Sequence, residues 1–202
     1  MSLIMIEFNN ISDKKPFLIF RDLYDLASSK DQKRIEAMAI SSYNKNIQEV
    51  DSRFVNLKFI NNKNFIFFSN YESAKASAFE SFDQISALFL WNSINTQIRI
   101  KGKIERASIS FNKSYFKKRS KSKNALAISS DQSKKIESFD KVLKNYQITK
   151  EKKNLTECPS YWGGFSFTPY SFEFWYGGEN RLNKRDLYEK KGEEWIHSIL
   201  QP

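Results

Sequence analysis

The spacing of apolar and polar positions changes period along the chain. Pro16 opens a stretch in which Phe17, Phe20, Leu23, Tyr24 and Ala27 recur at helical intervals, so the pattern predicts a helix over 16–27 with one buried face. From Ala37 the period shortens to two. Residues 37–43 and 50–60 read as strands, with Asn44 to Asn46 as the turn between them. Asn61-Asn62-Lys63-Asn64 reads as a hairpin turn into a strand over 65–69, and Ser73 stands where it can cap a short helix reaching Ser81. Strands are expected over 84–91 and 96–106. In the second, Ile98, Ile100 and Ile104 share one face, and Arg99, Lys101 and Lys103 share the other.

Helical spacing then returns over 109–119 and over 133–147, where Ile136, Phe139, Leu143 and Tyr146 are spaced as a buried stripe. Residues 148–158 are polar and read as a loop. Residues 164–176 alternate again, with Phe165 and Phe167 and, after Pro169, Phe172, Phe174 and Tyr176 on one side. Two last strands, 184–190 and 194–200, flank a Lys191-Gly192 turn. Strands dominate both ends and helices interrupt the middle. The expected class is therefore mainly β with accessory helices (α+β). A helical segment over 1–36 precedes a single domain over 37–202, whose antiparallel meander closes most easily into a small barrel.

Composition narrows the chemistry. The chain has 202 residues, 40% hydrophobic and 28% charged, which excludes wholesale disorder and fits one ordinary domain. Aromatics reach 15%, a large apolar payload for a core or an interface. Cys158 is the one cysteine, so an intramolecular disulfide framework is excluded, and the single histidine, His197, argues against a His-rich zinc site. Both read as structural, Cys158 as an inert thiol and His197 in a closing strand. No apolar run approaches the roughly 20 residues that span a bilayer, and the first residues lack the order of a secretory signal. A cytoplasmic protein without a membrane partner is expected. The six glycines build neither a G-x-G-x-x-G turn nor a Walker loop, so a phosphate ligand would be held by side chains.

The formal charge of +10 comes mostly from lysine, which is more often a solubility feature than a nucleic-acid footprint. The run Lys117, Lys118, Arg119, Lys121, Lys123 reads first as a solvated loop, next as a phosphate-binding loop and last as an RNA contact. A non-catalytic basic module binding RNA or another anion is thus the lowest-ranked reading.

Four segments carry more when taken together: Arg53 to Lys58, Phe67 to Lys75 with Ser69 and Ala74, Gln97 after Trp91, and Trp175 to Arg185. Tyr115 to Arg119 and Ser130 to Ser133 lie between the last two. In order and spacing these segments resemble the pyridoxine (pyridoxamine) 5′-phosphate oxidase family, from about Met38 to Pro202. The most specific piece is Phe174-Trp-Tyr-Gly-Gly-Glu-Asn-Arg-Leu-Asn-Lys-Arg185, preceded by Trp162-Gly163-Gly164. The resemblance implies a split β-barrel and a homodimer with FMN held between the subunits. It implies oxidation of pyridoxine or pyridoxamine 5′-phosphate by O2 to pyridoxal 5′-phosphate and hydrogen peroxide, with hydride passing from substrate C4′ to flavin N5. It places FMN contacts at Arg53, Lys58, Ser69, Lys75, Gln97, Gln132, Ser133, Trp175 and Arg185. It places substrate contacts at Lys58, Tyr115, Arg119 and Arg181, with Lys123 in the phosphate segment and Arg181 and Asn183 in the catalytic motif.

These residue types suit a phosphorylated flavin. Arg53 and Lys75 are the candidates for its phosphate, each charge-assisted hydrogen bond contributing roughly 1.5–3 kcal/mol. Gln97 and Gln132 match the mixed donor–acceptor edge of the pyrimidine ring. Lys58 or Arg185 would supply positive charge beside that edge. Tyr115 and Arg119, four residues apart on a helix, would hold the substrate phosphate. Arg53 and Lys58 are five residues apart, so a regular strand would aim them at opposite faces unless a bulge intervenes or one serves from the strand end. Three positions depart from the family pattern. Ala74 replaces an Arg, Lys123 replaces a Ser, and Asn183 replaces the substrate-site His. They motivate a second reading, a flavin oxidoreductase of the same fold with another substrate.

Overall fold

The computed structural model describes residues 5–152 and 154–202. In chain order the elements are β1 (Glu7–Asn9), α1 (Lys15–Ser29), β2 (Ala37–Asn44), β3 (Glu49–Asn61), β4 (Asn64–Asn70), α2 (Ala74–Ser81), β5 (Gln84–Trp91), β6 (Thr96–Arg106), α3 (Ile109–Lys118), α4 (Lys121–Ser129), α5 (Phe139–Lys152), β7 (Trp162–Tyr176), β8 (Lys184–Lys191) and β9 (Glu194–Leu200).

Six strands close on themselves in the order β3-β2-β5-β6-β7-β4, with β4 returning to β3. Every pairing in that ring is antiparallel. This is the split barrel expected of the meander. β1 adds to β3 in parallel, and β8 and β9 continue the sheet outward from β7. One edge of β7 serves two partners in succession. Its first half pairs with β4 up to Phe167, and its second half pairs with β8 from Ser171 onward. Between them the register with β6 slips by one residue at Tyr170. That slip keeps Phe165, Phe167, Phe172 and Phe174 all in the core across the Pro169 break.

The core is aromatic. Phe17 and Phe20 of α1 plug the barrel against Phe65, Phe89, Trp91 and Phe172. Each fully buried phenyl contributes roughly 1.5–3 kcal/mol over an exposed one. Tyr24 accepts a hydrogen bond from the Ile6 amide, tying the segment before β1 to α1. The alternation of β6 holds as expected: Ile98, Ile100 and Ile104 are buried, and Arg99, Lys101 and Lys103 point out.

Four expectations fail. The basic run read as a solvated loop ends inside a helix over Lys121–Ser129, which the Ser120 hydroxyl caps by accepting from the Lys123 amide. The helix expected over 133–147 begins only at Phe139 and runs on to Lys152, since Ser133 is held at φ 72°, outside the helical region. Its stripe is not buried in one chain: Ile136, Phe139 and Leu143 are exposed at 48%, 71% and 51%. Finally, Ser73 occupies the N-cap position of α2 without capping it, as its hydroxyl donates to the Asn70 carbonyl instead.

Candidate active site

A cavity of about 800 Å³ opens where β3, β4, α2, α3, α4 and the segment after α4 meet. It gathers Arg53, Lys58, Ser69, Lys75, Tyr115, Arg119, Lys123, Gln132 and Ser133, all singled out from sequence, together with Ala74.

One end is built by β3, β4 and the first turn of α2. Lys75 is only 7% exposed, and its Nζ donates to the hydroxyls of Ser69 at 2.9 Å and Ser73 at 3.2 Å. Burial, with Arg53 nearby, pushes the Lys75 ammonium down to about 8. Arg53 donates to the Ser42 hydroxyl at 2.7 Å and pairs with Asp51. Cations and hydroxyls so placed form a ready anion seat.

The other end carries Lys58, Tyr115, Arg119 and Lys123. Burial lowers the Lys58 amine, and the Lys123 and Arg119 charges lower it further, against the opposing pull of Glu36 and Glu7. Burial likewise raises the Tyr115 hydroxyl, with Arg119 working the other way. Arg119 lies just past the end of α3 in extended backbone, not on the helix face shared with Tyr115. It reaches the cavity because its guanidinium donates to the Lys123 carbonyl at 2.7 Å and rests 5.0 Å from the Trp162 ring centroid.

Lys58 is a bulge residue. Leu57 pairs with Phe67 and Phe59 with Ile66, so β3 has one residue more than β4 between those pairs. The bulge does not bring Arg53 and Lys58 onto one face. Arg53 sits opposite the core residue Ile40, hence on the inward face. Lys58 borders the outer layer where Phe59 packs on Tyr115, and the cavity reaches both.

Between the two ends lies an aromatic floor. Tyr115 stacks on Phe68 at 4.1 Å, and Phe68 stacks on Trp162 at 5.0 Å and 8°. Phe68 and Trp162 received no role from sequence, although both stand inside the segments that carried the resemblance. Gln132 accepts from the Asn70 amide at 3.4 Å, which ties the segment after α4 to β4.

The remaining expected residues lie elsewhere on the chain. Gln97, Trp175 and Arg185 form one row across β6, β7 and β8. Arg185 donates to Glu173 at 2.8 Å, and Arg99 approaches the same carboxylate at 3.4 Å. Arg181 and Asn183 belong to the adjoining turn after Gly177. There Asn180 and Arg181 both hold left-handed backbone, φ 53° and 63°, costing about 1 kcal/mol or more each. His197 contacts Asp186 at 2.9 Å and stacks on Tyr188, a structural setting. Cys158 is half-buried, and burial raises its thiol. Among the described residues no group of His, Cys, Asp and Glu is arranged to hold a metal ion. No helix among them is long and apolar enough to cross a membrane.

The closed six-strand ring with its flanking helices defines the split-barrel class. It superposes with a TM-score of 0.88 on PhzG from Burkholderia lata 383, solved with tetrahydrophenazine-1-carboxylic acid, at 22% identity over 94% of this chain and 93% of that one. A pyridoxamine 5′-phosphate oxidase-related, FMN-binding protein from Nostoc punctiforme shares the fold at TM-score 0.75 and 12% identity, covering 91% of this chain and 97% of that one. Sequence goes further. The chain is 35% identical over 193 residues to a pyridoxine/pyridoxamine 5′-phosphate oxidase of Colwellia psychrerythraea, covering 95% of this chain and 88% of that one. It is 34% identical over 192 residues to the corresponding protein of Ectopseudomonas mendocina, covering 93% and 88%. Residues 162–202 match the pyridoxine 5′-phosphate oxidase C-terminal dimerisation region. The chain belongs to the pyridoxine/pyridoxamine 5′-phosphate oxidase family, a family of oxidoreductases.

Proposed function

We propose that this chain is an FMN-dependent oxidase that converts pyridoxine or pyridoxamine 5′-phosphate to pyridoxal 5′-phosphate, with O2 as the electron acceptor. The observation that carries this reading is the pair of cationic ends in one cavity, Arg53 and Lys75 at one and Lys58, Arg119 and Lys123 at the other, joined by an aromatic floor. A flavin mononucleotide and a phosphorylated pyridine bring one phosphate each, and the cavity offers each its own cations.

The donor set suits FMN. Lys75, Arg53 and Ser69 present donors for the phosphate, and Gln132 and Ser133 offer amide and hydroxyl groups along the same wall. Gln97, Trp175 and Arg185 complete the site from a second copy of the chain. Ser69 pairs with Gly163 and Gln97 pairs with Trp175, so about 40 Å of strand path along β7 separates the two groups within one chain. The match to a dimerisation region over 162–202 supports the same arrangement.

When bound, FMN supplies the hydride-accepting chemistry, and the protein orients and polarises. Lys58 or Arg185 would hold positive charge beside the pyrimidine edge of a bound flavin. Tyr115, Arg119 and Lys123 hold the substrate phosphate. Arg181, from the second copy, would lie against the substrate ring and orient it.

The test is pyridoxal 5′-phosphate formation, with hydrogen peroxide release, from each substrate by FMN-loaded protein. No turnover in an FMN-loaded dimer would overturn the proposal. The second reading, another substrate on the same flavin site, draws on Ala74, Lys123 and Asn183. It predicts FMN binding without vitamin-phosphate turnover.

A further inference from the structure

We infer that Asn183 is a positioning residue. Its carboxamide, together with that of Asn95, clamps the turn over Gly177–Asn183 and fixes how Arg181 is presented, without touching the substrate. The inference rests on the proposed role of Arg181 at the substrate ring.

The turn is tied at both ends. At its start, the Gly177 amide donates to the Asn95 carbonyl at 2.9 Å, and Asn95 Nδ2 donates back to the Gly177 carbonyl at 3.2 Å. At its end, Asn183 Oδ1 accepts from the Gly178 amide at 3.2 Å, and the Asn183 amide donates to the Arg181 carbonyl at 2.8 Å. The Leu182 amide closes the middle on the Glu179 carbonyl at 3.0 Å.

The two glycines fit this clamp. A Cβ on Gly177 would lie 2.2 Å from Asn95 Nδ2, and one on Gly178 would lie 2.2 Å from the Leu182 carbonyl oxygen. Neither position has room for a side chain while the clamp is closed. Inside it, two successive residues with side chains, Asn180 and Arg181, keep positive φ. Such backbone persists only where its surroundings over-determine it, and the two asparagines do so here. They thereby fix the direction in which the Arg181 side chain leaves the turn.

This changes the meaning of position 183. The family usually carries a substrate-site His there. In this chain the accepting oxygen of Asn183 is committed to Gly178, inside the turn. Arg181 is then the turn's group for the ligand, and Asn183 acts through it.

The test is a double-mutant cycle on FMN-loaded protein, with pyridoxal 5′-phosphate as the probe and its Kd read from the change in flavin absorbance. Deuterium exchange over residues 177–183 reports the clamp directly. Asn183→Ala is expected to weaken the probe roughly five- to tenfold and to speed exchange at Gly178. Asn183→Asp keeps an acceptor at the same atom but adds a charge, so it is read by exchange alone: Gly178 should exchange at the parent rate. Arg181→Ala weakens the probe roughly tenfold or more, and adding Asn183→Ala weakens it no further. Asn95→Ala loosens the same turn from its other end and stands in if Asn183→Ala does not fold.

Equally fast exchange at Gly178 in the Ala and Asp variants, or a full additional loss of affinity on top of Arg181→Ala, would overturn the inference. The two possible failures differ. An unchanged Kd in Arg181→Ala removes the substrate reading, and the role of the clamp with it. A weakened Kd in Arg181→Ala beside an unchanged one in Asn183→Ala removes the clamp alone.

Discussion

Gln97 and Trp175 face each other across β6 and β7, twelve positions along β7 from Gly163, the residue that faces Ser69. On the proposed reading both groups serve a flavin, and their separation along β7 has each site draw on two subunits. Complementation follows. An Arg119→Ala chain spoils the end built by one subunit, and an Arg181→Ala chain spoils the end supplied by its partner. Each homodimer should be nearly inactive. Mixing the two under conditions of subunit exchange should restore turnover, because half of the sites in a heterodimer carry neither lesion. Activity measured before and after mixing checks this, and no recovery in verified heterodimers would exclude the shared site.

The buried Lys75 ammonium should make the proposed FMN binding dependent on pH. Its value in the folded protein, about 8, lies below the ordinary 10.5, so the charged form prevails only below about pH 8. FMN affinity should be flat below that point. Above it, affinity should fall by roughly tenfold per unit, because binding must first restore the proton. The ligand-free protein behaves in the opposite sense. Between about pH 8 and 10.5 the unfolded chain holds more protons at Lys75 than the folded one, so stability rises with pH through that window. FMN titrations from pH 6.5 to 9.5 check the first effect, and the downward slope should vanish in Lys75→Met.

Ala74 is exposed at the mouth of the same seat, directly before Lys75. Ala74→Arg has room to reach a bound phosphate without displacing the core. One added charge-assisted hydrogen bond should tighten FMN roughly tenfold. Fluorescence quenching of free FMN measures it, with the melting temperature of the ligand-free protein expected to hold.

Lys123 makes its end of the cavity, the proposed substrate end, a cluster of three cations with Lys58 and Arg119. Lys123→Ser should raise KM for a phosphorylated substrate roughly tenfold while leaving kcat near its parent value, since the charge holds the phosphate and not the reacting carbon. The salt dependence of KM should fall as well. Removing a neighbouring positive charge also relieves Lys58, whose amine should titrate higher in the variant.

Most strands were legible because their period is short and their turns are written in asparagine and glycine. β5, β6 and β9 fall on the expected residues, and α1 follows its aromatic stripe. α4 was hidden by the run of lysines around Ser120, where charge suggested solvent and the small capping hydroxyl decided otherwise. The stripe on α5 misled for a related reason. Helical spacing places Phe139 and Leu143 on one side, not under cover from the same chain, and Ile136 lies before the helix begins. Nine of the residues singled out from sequence line one cavity. The aromatic floor was not legible, since Phe68 and Trp162 sit in strands where an aromatic residue ordinarily means core. Nor does linear spacing reveal that Trp175 and Ser69 lie at distant points of the β4–β7–β6 strand system.

The bulge at Lys58 has a consequence for how this strand tolerates change. Leu57 and Ile60 both face the core although three residues apart, because Lys58 is supernumerary. Excising that lysine leaves Leu57, Phe59 and Ile60 in strict alternation, with the interior residues still interior. Such a shortened chain would keep the barrel and lose the amine, so at this point the requirements of architecture and of ligand chemistry are physically separable, and a deletion is a gentler probe than a replacement.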